Sequence, residues 1–358
     1  LWPICHYRLD LAEYGRKEMA GYFRVNGFFA DRLIPLIEPD DLIWIHDYHL
    51  IPLAAELRSK GVKNRIGFFL HIPLPPPDVL FAMPVHEEIL RALSCYDVVG
   101  FQTQHDMENF AACLERDGLG SRLDAHHFHV EGRTFKADAY PIGIETEAFA
   151  RFAGKAVRNS VVRRTHESLG DKSLIIGVDR LDYFKGITQR IDAFESYLTS
   201  HPQSLGKVTY LQITPKSRSE VPEYEAMQRM VAEQAGRVNG AAGSVDWVPI
   251  RYVNRSLGRP ILAGIYRLAK VALVTPLRDG MNLVAKEFVA AQDPADPGVL
   301  VLSRFAGAAE EMKDALLVNP YDVEGTAKAL ARGLAMPLDE RQERWSRMMQ
   351  GLRDNDVF

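Results

Sequence analysis

The stretch VALVTPLRDGMNLVAKEFVAAQ, residues 271–292, reads as one complete strand–loop–helix step. Val271–Val274 is an unbroken apolar run, the pattern of a strand covered on both faces. The strand ends at Pro276, a tight loop carries Arg278, Asp279 and Gly280, and an apolar helix starts near Met281 and runs to Gln292. The same step recurs around it. Leu174–Val178, Val208–Ile213, Val245–Ile250, Val299–Leu302 and Ala315–Val318 are strand-like, with helical patterns at Thr188–Thr199, Tyr224–Val238 and Pro260–Ala269. In Tyr224–Val238, Met227, Val231, Ala235 and Val238 form a stripe at helical spacing that faces a core. An earlier series has strands at Leu42–Ile45, Ile66–Leu70, Val98–Phe101 and Ala139–Ile142, and helices at Ile51–Arg58, Val79–Leu93 and Asp106–Glu115. Between the two series, Glu145–Asp171 is charged and helical and lacks a strand.

The expected fold is therefore α/β, with two doubly wound Rossmann-like domains in tandem. The domains are expected at residues 1–144 and 145–338, with a charged C-terminal helix over 339–358 that returns toward the first domain. Ligands of such sheets sit at the carboxyl ends of the strands, so the expected active site is the cleft between the domains.

Composition narrows the function classes. The 358 residues are 47% hydrophobic and 25% charged, which excludes a disordered, collagen-like or coiled-coil chain. Forty-three basic against 47 acidic residues give a net charge of −4, so nucleic acid is not an expected partner. No apolar run has the ~18 residues of a membrane span, and no secretory signal opens the chain. The three cysteines, Cys5, Cys95 and Cys113, include no CxxC and suit a reducing cytoplasm. The dinucleotide fingerprint G-x-G-x-x-G after a strand, the phosphate-cradling G-x-x-x-x-G-K-[ST] and the nucleophile elbow G-x-S-x-G are all absent.

Four clusters carry chemistry. In VDRLDYFKG, residues 178–186, Arg180 and Lys185 follow a strand directly, and Gly186 frees the backbone. A planar guanidinium and a point-charge ammonium there can grip a diphosphate; the alternative is surface pairing with Asp179 and Asp182. In the 271–292 stretch, the helix start near Met281 offers free N–H groups and a positive dipole end to an anion. Asp279 can accept sugar hydroxyls or simply cap the helix, and Glu287 in the second turn can accept ribose hydroxyls or face solvent. In WIHDYHL, residues 44–50, His46 and His49 stand three apart with no third histidine nearby, so no metal site is read, and Asp47 is taken as a hydroxyl acceptor. His71 ends the next strand in FFLHIP, either at the site or as a core histidine, and Pro73, Pro75, Pro76 and Pro77 then hold an extended loop. His126, His127 and His129 read as surface residues of a polar connection.

Together with LWPICHYRLD, DVVGFQT, YPIGIE, GVLVLSRFAGAAEEM and ALLVNPYD, these stretches closely resemble the trehalose-6-phosphate synthase family, glycosyltransferase family 20, in the family's order and over almost the whole chain. The resemblance implies a GT-B fold, an acceptor-binding first domain and a UDP-glucose-binding second domain. It also implies transfer of glucose from UDP-glucose to glucose 6-phosphate with retention, giving α,α-trehalose 6-phosphate and UDP. By the family's pattern Arg180 and Lys185 hold the donor diphosphate, Leu283 and Val284 supply helix amides, and Glu287 takes the ribose. Asp279, Gly280, Met281 and Asn282 contact the transferred ring, and the backbone near Leu257 borders the uracil. Asp47 binds the acceptor sugar, Arg218 reaches its phosphate, and Trp2 and His71 govern anomer selectivity. Asp47, His71, Arg180, Lys185 and Asp279 are the residues expected to carry catalysis.

The family pattern also has a segment before LWP, with a glycine-bearing loop, an Arg and a Tyr near the acceptor phosphate, and a closing helix beyond Phe358. The chain is accordingly expected to be truncated at both ends, with an incomplete first domain. The expected mechanism is front-face displacement, with cations and the helix start stabilising the leaving diphosphate, no covalent intermediate, no cofactor and no metal. No membrane partner is expected, and a homo-oligomer is left open. Two alternatives stand beside this: a sibling enzyme with another phosphorylated polyol acceptor, such as a glucosylglycerol-phosphate synthase, and a non-catalytic sugar-nucleotide-binding module.

Overall fold

The computed structural model describes residues 1–215 and 222–357, and the chain divides into two compact units, Leu1–Ile142 and Gly143–Phe358. Each is built on its own six-stranded sheet.

In the first unit the strands are β1 (Leu42–His46), β2 (Arg65–Phe69), β3 (Val98–Phe101), β4 (Gly120–Arg122), β5 (His127–Val130) and β6 (Arg133–Ala139), in the order β1-β2-β3-β6-β5-β4. The β1-β2-β3-β6 portion is parallel, and β4 and β5 close the far side as antiparallel strands. The parallel strands bury Ile45, Ile66, Phe68, Val99 and Phe101, as expected of apolar strands in a parallel sheet. At the other side β1 is an edge strand, and among the described residues nothing pairs with its outer edge. Leu42 and Trp44 on it are exposed.

The sheet corrects one sequence expectation and adds to another. The strand read at Ala139–Ile142 lies earlier, at Arg133–Ala139: Tyr140 N–H still donates to Phe101 O at 2.8 Å, but Pro141 has no N–H to continue the ladder. The segment read only as a polar connection is the β4–β5 part of the sheet. In it Phe128 and Val130 are buried while His127 is exposed, the two-residue alternation of a half-buried antiparallel strand.

In the second unit the strands are β7 (Ser173–Val178), β8 (Val208–Ile213), β9 (Ile250–Val253), β10 (Val271–Val274), β11 (Val299–Ser303) and β12 (Leu316–Val318), ordered β12-β11-β10-β7-β8-β9 and parallel throughout. This is the doubly wound order in which winding reverses between the first and fourth strands, here β7 and β10. In sheets of this order ligands bind at the carboxyl ends of the two strands that flank the reversal. The helices that matter below are α1 (Ile187–Ser200), α2 (Arg259–Leu268), α3 (Leu283–Ala291) and α4 (Leu338–Asp354). Helix α4 packs on α3 and on the helix Thr146–Ala156 within this unit. The strand expected at Val245–Ile250 begins only at Ile250, because Pro249 cannot donate to the ladder; its carbonyl accepts from Tyr210 N at 2.8 Å. Trp247 leaves the strand path to bury its ring and donate from Nε1 to Val208 O at 2.8 Å. No helix among the described residues is long and apolar enough to cross a membrane.

Candidate active site

At the β7/β10 crevice the sequence places two loops side by side. Strands β7 and β10 pair in register Val271 with Ile175, so the chain after Val178 and the chain after Val274 leave the sheet together. Arg180 stands exposed just beyond β7. Lys185 sits at the end of a single helical turn, Tyr183–Lys185, and Gly186 then takes φ +64, where a side chain is strained. A Cβ there would stand 2.3 Å from Thr275 O, so glycine alone lets the Lys185 loop close onto the β10 loop. Leu277 N–H donates to Phe184 O at 2.7 Å across that junction.

The result is an ion pair between Lys185 Nζ and Asp279 Oδ2 at 2.6 Å, with both side chains nearly buried. The alternative partners read from sequence, Asp179 and Asp182, do not take it: Asp179 pairs with Arg190, and Asp182 gives its backbone carbonyl to Lys185 N.

The helix read as starting at Met281 starts at Leu283, because Asn282 adopts φ +79 in the left-handed region. Asn282 thus holds the N-cap position read as open to Asp279. Its side chain makes no capping bond and donates instead from Nδ2 to Asp279 Oδ2 at 3.0 Å. The first turn of α3, with Leu283 and Val284, therefore presents its amides without a side-chain cap, beside an ammonium group. The loop between is held from behind: Asp279 N donates to Phe305 O at 3.1 Å, Gly307 N to Asp279 O at 3.1 Å and Ala308 N to Met281 O at 2.8 Å. Glu287 is half-buried one turn along α3; burial pushes its carboxyl up, with Arg259 acting against that. Leu257 lies in the loop between β9 and α2, half-buried.

The first unit holds a second set, again at the ends of adjacent parallel strands. His46 pairs in register with Phe69, so Asp47 and His71 emerge next to each other. Asp47 N donates to Phe69 O at 2.8 Å, and the residue is forced to φ 68, ψ 166, a region that only glycine enters freely. Its Oδ1 is buried with no hydrogen-bond partner among the described residues. His71 Nε2 is hydrogen-bonded to His46 Nδ1 at 3.1 Å, with the two rings stacked. Burial pulls the His71 imidazole down, the Asp47 carboxylate resists, and His46 adds to the fall. Trp2 packs on Tyr48, the residue after Asp47, with ring centroids 5.6 Å apart. His49 packs at a tilt on Tyr48, with ring centroids 3.9 Å apart, rather than joining His46. Arg218 lies outside the described residues.

Burial pushes the Cys5 and Cys113 thiols up to about 12 and raises that of Cys95 as well, away from the thiolate form a nucleophile needs. Among the described residues one group has metal-ligating geometry, His86, Glu87 and Asp117, and it includes none of the candidate site residues. Its histidine is engaged, with Nδ1 2.9 Å from Met83 O and Nε2 3.4 Å from Asp117.

Sequence reasoning missed the support under the crevice. Arg190 on α1 is fully buried against Asp179. On α3, fully buried Lys286 pairs with Glu311 at 2.6 Å. The signal for Arg190 was present: it follows Ile187 by three and precedes Phe194 by four, which puts a charged residue on the apolar stripe of its helix.

The first unit does not reverse its winding, since β1-β2-β3-β6 runs one way from an edge strand, but two α/β units on largely parallel sheets, the second doubly wound with a cation-lined, uncapped helix start at its switch point, are the make-up of a GT-B glycosyltransferase. Residues 1–358 match Glycosyltransferase family 20, and the chain belongs to that family. It is 73% identical to the trehalose-6-phosphate synthase of Sinorhizobium fredii, across 100% of this chain and 77% of that protein. Among solved structures, it resembles an α,α-trehalose-phosphate synthase (UDP-forming) from Burkholderia xenovorans in complex with glucose-6-phosphate. That match has a TM-score of 0.98 and 49% identity and covers 99% of this chain and 79% of that one. The E. coli structure bound with UDP-2-fluoro glucose matches at TM-score 0.97 and 47% identity, over 99% of this chain and 79% of that one.

Proposed function

We propose that this protein transfers glucose from UDP-glucose to glucose 6-phosphate, releasing UDP and forming α,α-trehalose 6-phosphate. The observation that carries the reading is the Lys185–Asp279 pair beside the uncapped start of α3, at the switch point of the second sheet. That arrangement suits a sugar bound through a diphosphate: positive potential for the phosphates, with a carboxylate next to it for the sugar. The 73% identical relative and the two ligand-bound structures supply the nature of donor and acceptor.

In this reading Arg180, Lys185 and the amides of Leu283 and Val284 take the diphosphate, while Glu287 accepts from the ribose and the backbone near Leu257 borders the base. Asp279, Gly280, Met281 and Asn282 hold the glucosyl ring. Asp47 accepts from the acceptor sugar through the orphaned Oδ1, Arg218 meets its phosphate, and Trp2 and His71 set the anomer. Asp279 holds the Lys185 ammonium in place until a phosphate competes for it.

Transfer then proceeds on one face of the sugar. The bond from the anomeric carbon to the diphosphate oxygen breaks, and its electron pair goes to the diphosphate. The acceptor hydroxyl oxygen bonds to the anomeric carbon on the same face and gives its proton to a diphosphate oxygen. The cations stabilise the charge that develops on the leaving group, so no side-chain nucleophile and no metal are needed in this scheme. The reading is of a cytoplasmic enzyme, a compartment that three unpaired cysteines suit.

The test is a UDP-release assay with product identification by NMR, offering glucose 6-phosphate and glycerol 3-phosphate as competing acceptors. Formation of α,α-linked trehalose 6-phosphate is expected. Preference for glycerol 3-phosphate selects the sibling reading, and UDP-glucose binding without turnover on either acceptor selects the non-catalytic module.

A further inference from the structure

The buried arginine beneath the crevice has a geometry that mere core filling does not require. The Arg190 guanidinium is fully shielded from water and engages four partners. Nη1 lies 2.8 Å from Asp179 Oδ2 and donates to Gln212 Oε1 at 3.2 Å; Nε donates to Thr275 Oγ1 at 3.1 Å; Nη2 donates to Lys185 O at 3.2 Å. Asp179 follows β7, Gln212 lies in β8, Thr275 follows β10, and Lys185 is the cation of the crevice. One side chain thus ties the three central strands to the loop that carries the ammonium.

The surroundings are shaped for it. A Cβ on Gly177 would stand 2.5 Å from Gln212 Oε1 and 2.7 Å from Arg190 Nη1, so glycine in β7 makes the space. Gln212 Oε1 also accepts from the Tyr210 hydroxyl, and Gln212 Nε2 donates to Thr214 Oγ1 at 3.0 Å. A buried ion pair is a poor source of stability, since well-packed apolar residues of similar volume do as well or better. What the pair contributes is geometry. The bond to Lys185 O fixes the peptide plane leading into Gly186, and with it the direction of the Lys185 side chain. The bond to Thr275 fixes the strand end four residues before Asp279.

We propose that Asp179 and Arg190 are positioning residues for donor binding: they hold Lys185 and Asp279 at the spacing that receives the diphosphate, and they touch no substrate themselves. The charges are also linked in sequence. Asp179 is held as a partner of Arg190, which leaves Lys185 to Asp279. Without Arg190, the buried Asp179 carboxylate competes for Lys185 and draws it out of the crevice.

The inference rests on the reading of this crevice as the donor site, and the experiment separates the two. UDP binding is measured by calorimetry on the full chain, its Lys185→Ala variant and the double variant Asp179→Asn/Arg190→Met, which leaves no unpaired buried charge. Michaelis constants for both substrates are measured alongside. If Lys185→Ala binds UDP as well as the unaltered protein, the donor-site reading itself fails. If Lys185→Ala weakens UDP, positioning predicts that the double variant also loses at least about tenfold in UDP affinity, the scale of one charge-assisted hydrogen bond. Its Michaelis constant for UDP-glucose should rise likewise, with that for glucose 6-phosphate within about twofold. Unchanged UDP affinity in the double variant, or equal effects on both substrates, overturns the positioning role. Should the double variant not fold, Arg190→Lys, which keeps the charge and loses the fork, decides by the same comparison.

Discussion

Replacing Asp47 by glycine should make the protein more stable and inactive. Asp47 stands at φ 68, ψ 166, a conformation that costs a residue with a Cβ about 1–3 kcal/mol. Glycine adopts it freely, against an unfolded-state entropy term of about 0.4–1 kcal/mol for the added backbone freedom. Asp47 Oδ1 is also buried without a partner, which adds about 1–3 kcal/mol of relief when the side chain is removed. The expected net gain is about 1–6 kcal/mol on these terms. Asp47→Ala separates the contributions. It deletes the carboxylate and keeps the strain, so the glycine variant should exceed it by the strain term less the entropy term, about 1.3 kcal/mol at the middle of both ranges. Two units make a single global midpoint ambiguous, so the measurement is native-state hydrogen exchange on peptides spanning β1 and β2, with UDP release assayed in parallel. Glycine and alanine variants that exchange alike would refute the strain argument. A glycine variant with turnover intact would show that the orphaned carboxylate is not the acceptor's partner.

Three further outcomes are expected. Arg180→Ala should weaken UDP in calorimetry by about 10–150-fold, the worth of about 1.5–3 kcal/mol in charge-assisted bonds, with thermal stability unchanged because Arg180 is exposed. Glu287 is raised by burial above its ordinary 4.5, so the folded state binds its proton more tightly than the unfolded state. Its ionised form therefore costs stability at neutral pH, and the cost disappears as pH falls through the folded value toward 4.5. Glu287→Gln should accordingly stabilise at pH 7 to 8 and lose that gain in acid, as read by melting across pH, while UDP affinity drops at every neutral pH. Arg218→Ala should raise the Michaelis constant for glucose 6-phosphate with that for UDP-glucose unchanged; equal changes in initial-rate kinetics would remove it from the acceptor site.

Much of this protein was legible along the chain because the physics concerned is local. Unbroken apolar runs such as Val271–Val274 announce doubly covered parallel strands, and the Arg, Lys and Asp after β7 and β10 announce an anion site, since a doubly wound sheet binds at its strand ends. Prolines explain the slips: at Pro141 and Pro249 hydrophobicity continued but hydrogen bonding did not, and pairing obeyed the hydrogen bond. The β5 strand escaped notice although Phe128 and Val130 alternate with His127 and His129, because four residues are too short a run to stand out from a polar connection.

Tertiary structure alone decided which charges meet. From sequence Lys185 had Asp179 and Asp182 within reach, yet it pairs with Asp279, 94 residues away, because β7 and β10 are neighbours in space. Asn282 takes the left-handed turn and displaces Asp279 from the helix cap because the loop is pinned to Phe305 and Ala308 on the next strand's connection. Asp47 is strained because the Phe69 carbonyl in β2 captures its N–H. Arg190 is a core residue because β7, β8 and β10 converge on one buried point, and no spacing along a single helix contains that convergence. Spacing specified which groups were available for the chemistry; the sheet order, by setting distances between residues far apart in the chain, determined which of them act on one another.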